Sequence, residues 1–166
     1  MNSFTFSCSI NANEFVKANN LVLVKNRLIL TLLIMLAFLS LFGLVLFLTS
    51  PYSSSFNHFG FPLVFIIVFF VIRPMQLRSN FNKSKKLQAE ITYTFDNEKF
   101  IMKTEDVEEK WAWNEIKHIS ETKDFYFFGL ISPKGQYRFI PKRVIAEANK
   151  LSEFSAFIKE RVSYIS

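Results

Sequence analysis

The sequence predicts a membrane hairpin of two helices followed by an α+β domain, an antiparallel sheet that ends in a C-terminal helix. Three observations carry that prediction: an uncharged apolar run over Leu28–Thr49, a second apolar run that stops at Ile72, and a switch beyond Leu87 to apolar residues alternating with polar ones. Half of the 166 residues are hydrophobic and 21 are Phe, which excludes a disordered or collagen-like chain. One cysteine, Cys8, excludes an internal disulfide framework and any multi-cysteine metal site. His58 and His118 lie on unlike segments and offer no spaced pair of ligands, so neither a metal nor another cofactor is expected.

The N-terminal segment, residues 1–27, reads as a strand and a short helix. Phe4, Phe6, Cys8 and Ile10 alternate with Thr5, Ser7 and Ser9, the two-residue period of a half-buried strand. A lone strand in water is not stable, so this one is expected to pack on the sheet of the C-terminal domain. Asn11 and Glu14 stand in capping-box spacing and open the helix. Cys8 then acts as a small buried hydrophobe rather than a reactive thiol.

Residues 28–72 read as a two-span hairpin. Leu28–Thr49 has no charge and no polar face, and as a helix it measures roughly 33 Å, about the thickness of the hydrocarbon core. It is too long, and begins too far into the chain, for the apolar core of a cleaved signal peptide. The second span is expected over about Ser53–Ile72, with Pro62 in its first turns and Arg73-Pro74 closing it. Lys17, Lys25 and Arg27 precede the first span, no Lys or Arg lies between the spans, and five basic residues follow the second. The positive-inside rule therefore puts both termini in the cytoplasm and makes this a multi-pass protein of the cytoplasmic (inner) membrane.

Residues 73–88 form a basic juxtamembrane linker. Arg73, Arg78, Lys83, Lys85 and Lys86 are unopposed until Glu90, which makes them candidates for contact with anionic lipid headgroups. Beyond them, residues 90–166 carry 12 basic and 13 acidic side chains. A sequence pI near 9.5 thus reflects the membrane flank, and the near-neutral domain argues against a nucleic-acid partner.

Residues 89–166 form the cytoplasmic domain. Ala89–Phe95 alternates as a strand, Asp96-Asn97-Glu98 supplies a turn, and Lys99–Lys103 returns as its partner. A third strand is expected over Val107–Trp113 with Trp111 and Trp113 on one face, followed by a helical turn near Asn114. Phe125–Ile131 is apolar on both faces and should be the most buried strand. Ser132–Gly135 turns the chain back into Gln136–Ile140. Val144, Ala148, Leu151, Phe154, Phe157, Ile158, Val162 and Ile165 recur at helical spacing, predicting one amphipathic helix of about five turns. Five to six antiparallel strands and one helix result. Lys142 and Arg143 open that helix and are a second candidate for contact with an anion or a partner.

Over about Ile91 to Arg143 the chain resembles the bacterial YcxB-like membrane proteins, most clearly at Trp113-Asn114-Glu115-Ile116, Glu121-Thr122-Lys123-Asp124 and Ile140-Pro141-Lys142-Arg143. The resemblance implies a C-terminal region related to pleckstrin-homology-like (PH-like) domains and brings no catalytic residues with it. A PH-like lipid pocket would want basic residues around the first hairpin turn. Here that turn is Asp96-Asn97-Glu98 with only Lys99 beside it, which repels an anionic headgroup at least as much as it attracts one.

No phosphate-binding loop, zinc-protease motif or nucleophile elbow occurs, and glycines at 43, 60, 129 and 135 cannot assemble a phosphate cradle. The expected function is therefore non-enzymatic: a two-pass membrane protein presenting its domain to a protein partner or to the membrane surface. The alternative is a membrane immunity or resistance protein that neutralises a toxin acting at the inner membrane. A hydrolase or transferase built on the Glu121–Asp124 region is the enzymatic alternative.

Overall fold

The computed structural model describes residues 3–25, 27–49, 62–133, 136–161 and 164–165. It divides into two units, one made of residues 1–14 and 84–166, the other of residues 15–83.

The first unit is a pair of sheets. Strand β1 (Phe4–Cys8) pairs antiparallel with β2 (Ile91–Phe95), β2 with β3 (Lys99–Lys103), and β3 with β4 (Glu108–Ala112). Phe4 faces Phe95 and Cys8 faces Ile91, so one sheet joins two segments separated by both apolar helices. β1 alternates buried and exposed in strict order, as its sequence pattern requires.

A second sheet has the order β7-β6-β5-β8, built from β5 (Ile116–Glu121), β6 (Phe125–Leu130), β7 (Tyr137–Pro141) and a terminal pair, β8 (Tyr164–Ile165), parallel to β5. All six residues of β6 are buried, the outcome expected of a strand apolar on both faces. The turn expected at Ser132–Gly135 includes Lys134 and Gly135, which lie outside the described residues.

The two sheets meet across an aromatic core. Phe95 stacks on Phe100 with ring centres 4.7 Å apart, and Phe100 reaches Phe128 of the second sheet at 4.9 Å. Phe154, fully buried, touches Phe4, Phe6, Phe95 and Tyr126 edge-on. Edge-to-face rings bury large apolar areas with favourable quadrupole geometry, which explains the heavy use of Phe in so small a domain.

Three expectations need correction. The five-turn C-terminal helix is two helices, Lys142–Glu147 and Leu151–Lys159. Asn149 takes a left-handed conformation with φ 55°, its N–H donates to Ala146 O, and the Lys150 N–H donates to Ile145 O. Those paired bonds are the Schellman arrangement that ends a helix, and Asn tolerates the left-handed residue it demands. The apolar spacing persists because both helices pack on the same core.

The third expected strand stops at Ala112. Trp113–Glu115 is a 3₁₀ turn whose Glu115 carboxylate accepts the Ala112 N–H at 2.7 Å, and the Trp113 indole N–H reaches Asp96 O at 2.9 Å.

The third correction concerns the second unit and the basic linker. Helix α1 (Ala12–Lys25) leads toward α2 (Arg27–Thr49), and α3 runs over Pro62–Lys83. Pro74 does not end α3, so residues 73–83 are helical rather than linker. Val68–Ile72 is a π turn in which the Arg73 N–H donates to Val68 O. Proline removes one helical donor and crowds the carbonyl a turn earlier, and a locally widened turn relieves both. A break follows at Ser84, then a single turn over Lys85–Gln88. The beginning of the second span expected at Ser53, the external loop and His58 lie outside the described residues.

Two helices, with apolar windows at Ile29–Leu46 and Pro62–Lys83, are long and apolar enough to cross a membrane. Their large side chains point outward, Phe38 at 71% and Leu48 at 75% exposure. Within this unit Arg73 donates to Asn20 Oδ1 at 2.8 Å, and Phe15 meets Phe81 at 5.4 Å.

Candidate functional site

The candidate anion contact at Lys142 and Arg143 sits where β7 passes into the six-residue helix Lys142–Glu147. Pro141 sets the extended entry with φ −66° and leaves the next residues free to turn. Lys142 points back onto the second sheet: its ammonium binds Glu121 and lies 4.9 Å from the centre of the Tyr126 ring. Its backbone N–H donates to Asp124 O at 2.8 Å. Burial pushes the Tyr126 hydroxyl above its ordinary value, and Ser155 and Glu121 are its hydrogen-bonding neighbours.

Arg143 points the other way, to the N-terminal segment. Its Nε donates to Glu14 Oε1 at 2.6 Å, and its Nη2 donates to Glu14 Oε2 at 3.1 Å and to Ser9 O at 2.8 Å. Glu14 also accepts the Asn11 N–H, while Asn11 Oδ1 accepts the Glu14 N–H, which completes the capping box. Burial alone would raise the Glu14 carboxyl. The bonds from Arg143 and Asn11, with the charge of Arg143, outweigh it and hold the carboxyl below its ordinary value.

Both cations thus serve carboxylates of their own domain, and an incoming anion would have to displace one. In this fold they join the N-terminal segment and the β5–β6 corner to the C-terminal helices. Glu121, proposed for hydrolytic chemistry, is the partner of Lys142. Spacing along the sequence could not reveal either pairing, because Glu14 and Arg143 are 129 positions apart.

The basic stretch divides among three environments. Arg73 binds Asn20 and lies over Phe69 at 5.7 Å. Arg78 and Lys83 are exposed on the last turns of α3. Lys85 and Lys86 are exposed on the following turn, and Lys86 reaches Asp106 at 3.9 Å with both side chains largely in solvent.

A feature that sequence reasoning missed is a groove of about 610 Å³ at the end of the first sheet. Ser3 and Phe4 at the start of β1 and Asn97 in the β2–β3 turn form one side, and the helix Leu151–Lys159 with its flanks forms the other. Arg161 is pinned there. Its Nη1 donates to Phe157 O at 3.0 Å, its Nη2 to Asn97 Oδ1 at 2.5 Å, and its guanidinium lies 3.7 Å from the centre of the Phe157 ring. No local motif announces such a groove, because its walls come from three segments far apart in the chain.

The fold and its side-chain pairings define a class: an α+β domain of two facing sheets and C-terminal helices, with two apolar helices inserted between its first and second strands. Residues 95–158 match the model of the YcxB-like protein family, so the resemblance read from the motifs is shown over that stretch. Curated proteins and solved structures gave no match.

The motifs that carry the resemblance now have structural roles. Trp113–Ile116 makes the 3₁₀ corner between the sheets. Thr122 Oγ1 accepts the Phe125 N–H at 3.1 Å and closes the β5–β6 turn. Ile140–Arg143 delivers the two cations to their carboxylates.

Proposed function

We propose that the chain is a non-enzymatic two-pass protein of the bacterial cytoplasmic membrane. Its helical hairpin tethers a PH-like domain that presents a surface to a protein partner. The observation that carries this reading is the insertion of two outward-facing apolar helices between strands that pair with each other. Apolar side chains exposed along α2 and along residues 63–72 of α3 are costly in water and favourable in lipid. The chain enters α1 three residues after β1, continues into the apolar helices and returns to β2 seven residues after α3 ends, so both connections to the helices leave the same end of the first sheet, where Cys8 pairs with Ile91.

Two facing, mainly antiparallel sheets with a C-terminal helix filling the core with Phe154, Phe157 and Ile158 support the PH-like description. Both termini lie in the cytoplasm, since every Lys and Arg flanks the spans on that side. Arg78, Lys83, Lys85 and Lys86 meet anionic headgroups there, which makes the bilayer itself one of the partners.

The test is cysteine accessibility in intact cells, in a Cys8→Ala background. A membrane-impermeant maleimide should label Ser54→Cys from outside and should label Lys123→Cys only after permeabilisation. Labelling of Lys123→Cys in intact cells would overturn the topology.

A further inference from the structure

We infer that the groove beside the helix Leu151–Lys159 is the domain's partner site, and that its ligand is an extended polypeptide segment of a soluble partner. This deepens the reading of the domain as a binding module and rests on it.

Lys150, Glu153, Phe157, Glu160 and Arg161 lie along one side of the groove. Their spacing spans three turns of helix, roughly 16 Å, which matches about five residues of extended chain. The groove is half-open rather than a closed cup, and its volume lies in the range that takes a small ligand or a few side chains.

Its charges are mixed. Lys150 and Arg161 bracket Glu153 and Glu160 along the chain, and all four line the groove. A polyanion such as a lipid headgroup or nucleic acid would meet both carboxylates. A polypeptide backbone offers the complement, with N–H groups for the carboxylates and carbonyls for the cations.

Arg161 is preorganised for this role. Asn97 and the Phe157 carbonyl fix its guanidinium, and its buried Nε has no acceptor among the described residues. Phe4 and Phe157 form an apolar floor, and Lys150 lies 5.8 Å from the centre of the Phe4 ring.

Position within the sheet favours a soluble partner. The groove lies at the Phe4 and Asn97 end of the first sheet. The chain leaves for the apolar helices from the other end, where Cys8 pairs with Ile91.

The test uses the full chain in lipid nanodiscs and a displayed library of random linear peptides. The library is panned on the native protein and depleted on an Ala156→Trp variant. Ala156 is exposed on the groove wall, so an indole there fills the groove and leaves the core alone.

Recovered peptides should bind the native protein and lose about tenfold or more on Ala156→Trp and on Lys150→Glu. They should bind Lys123→Glu, on the β5–β6 turn, unchanged. An unaltered melting temperature certifies Ala156→Trp, and Lys150→Glu, exposed at the groove's end, carries the test if the indole disturbs folding.

Enrichment no greater on the native protein than on Ala156→Trp, or recovered peptides indifferent to both groove variants, would overturn the inference. Competition by phosphatidylglycerol vesicles without any peptide enrichment would assign the groove to lipid and overturn it too. Maleimide topology is read independently, so a failed groove leaves the membrane reading standing and a failed topology leaves the groove standing.

Discussion

At the residue scale, the domain is fixed by a few side chains whose partners lie far away in sequence. Glu14 and Arg143 are the clearest case. Because the folded Glu14 carboxyl lies below its ordinary value, the pair contributes fully above the ordinary Glu range and is lost as pH falls through the folded value. Arg143 is partly exposed, so the contribution is on the order of 1 kcal/mol. Glu14→Gln should therefore lower the melting temperature near neutral pH and narrow the gap to the native protein on acidification to the foot of the Glu titration. A gap that stays constant with pH would separate Glu14 from the effect. Cys8 gives a second check. Burial pushes its thiol up to about 11, so a maleimide at neutral pH should react far more slowly with native than with denatured protein. Gly129 gives a third. A Cβ there would lie 2.7 Å from the His118 ring, which rests against it. Gly129→Ala should cost about 1 kcal/mol in chemical denaturation, and most of that cost should vanish in a His118→Ala background, since the three atoms nearest that Cβ all belong to the ring.

At the element scale, strand β1 and the C-terminal helices share one core. Phe6 meets Phe95 at 6.4 Å and Phe154 at 5.5 Å, so Phe6→Ala should destabilise the domain by about 3–5 kcal/mol, read from its denaturation midpoint. The helix break should respond to side-chain shape: Asn149→Gly should be tolerated, whereas Asn149→Val puts a branched side chain at φ 55° and should cost about 1–2 kcal/mol. What was legible in the sequence follows the range of the signal. Two-residue alternation marked β1 and β2, Asn11 and Glu14 marked their cap, and the double-sided apolar run at Phe125 marked the most buried strand. Those signals live within a few residues. The break at Asn149 was masked because the apolar spacing runs straight through it, and the passage of α3 beyond Pro74 was masked because a π turn absorbs the proline. The pairings of Lys142 with Glu121 and of Arg143 with Glu14 depend on how the chain returns on itself, which no local pattern encodes. The groove at Arg161 was illegible for the same reason.

At the scale of the whole molecule, charge is concentrated where α3 ends. Lys83, Lys85 and Lys86 near an anionic surface contribute about 1 kcal/mol each, screened within a Debye length. Reversal of all three to Glu should weaken cross-linking of this segment to anionic lipid and make the remaining contact insensitive to salt; unchanged lipid contact would reduce the segment to a spacer. The pairing of β1 with β2 also bears on the order in which the protein is made. β1 leaves the ribosome before its partner, which follows only after roughly 80 further residues, both apolar helices among them. Closing a loop of that length by diffusion costs roughly 3 kcal/mol more than closing a tight hairpin, by the logarithmic dependence of closure entropy on length. On the proposed topology, a helical hairpin seated in a bilayer returns the chain to its starting side and removes most of that search. Nascent chains stalled before α3 should therefore expose Phe4 and Phe6 as a sticky, unpaired strand, and on that topology the domain's final closure should be timed by membrane insertion rather than by the domain itself.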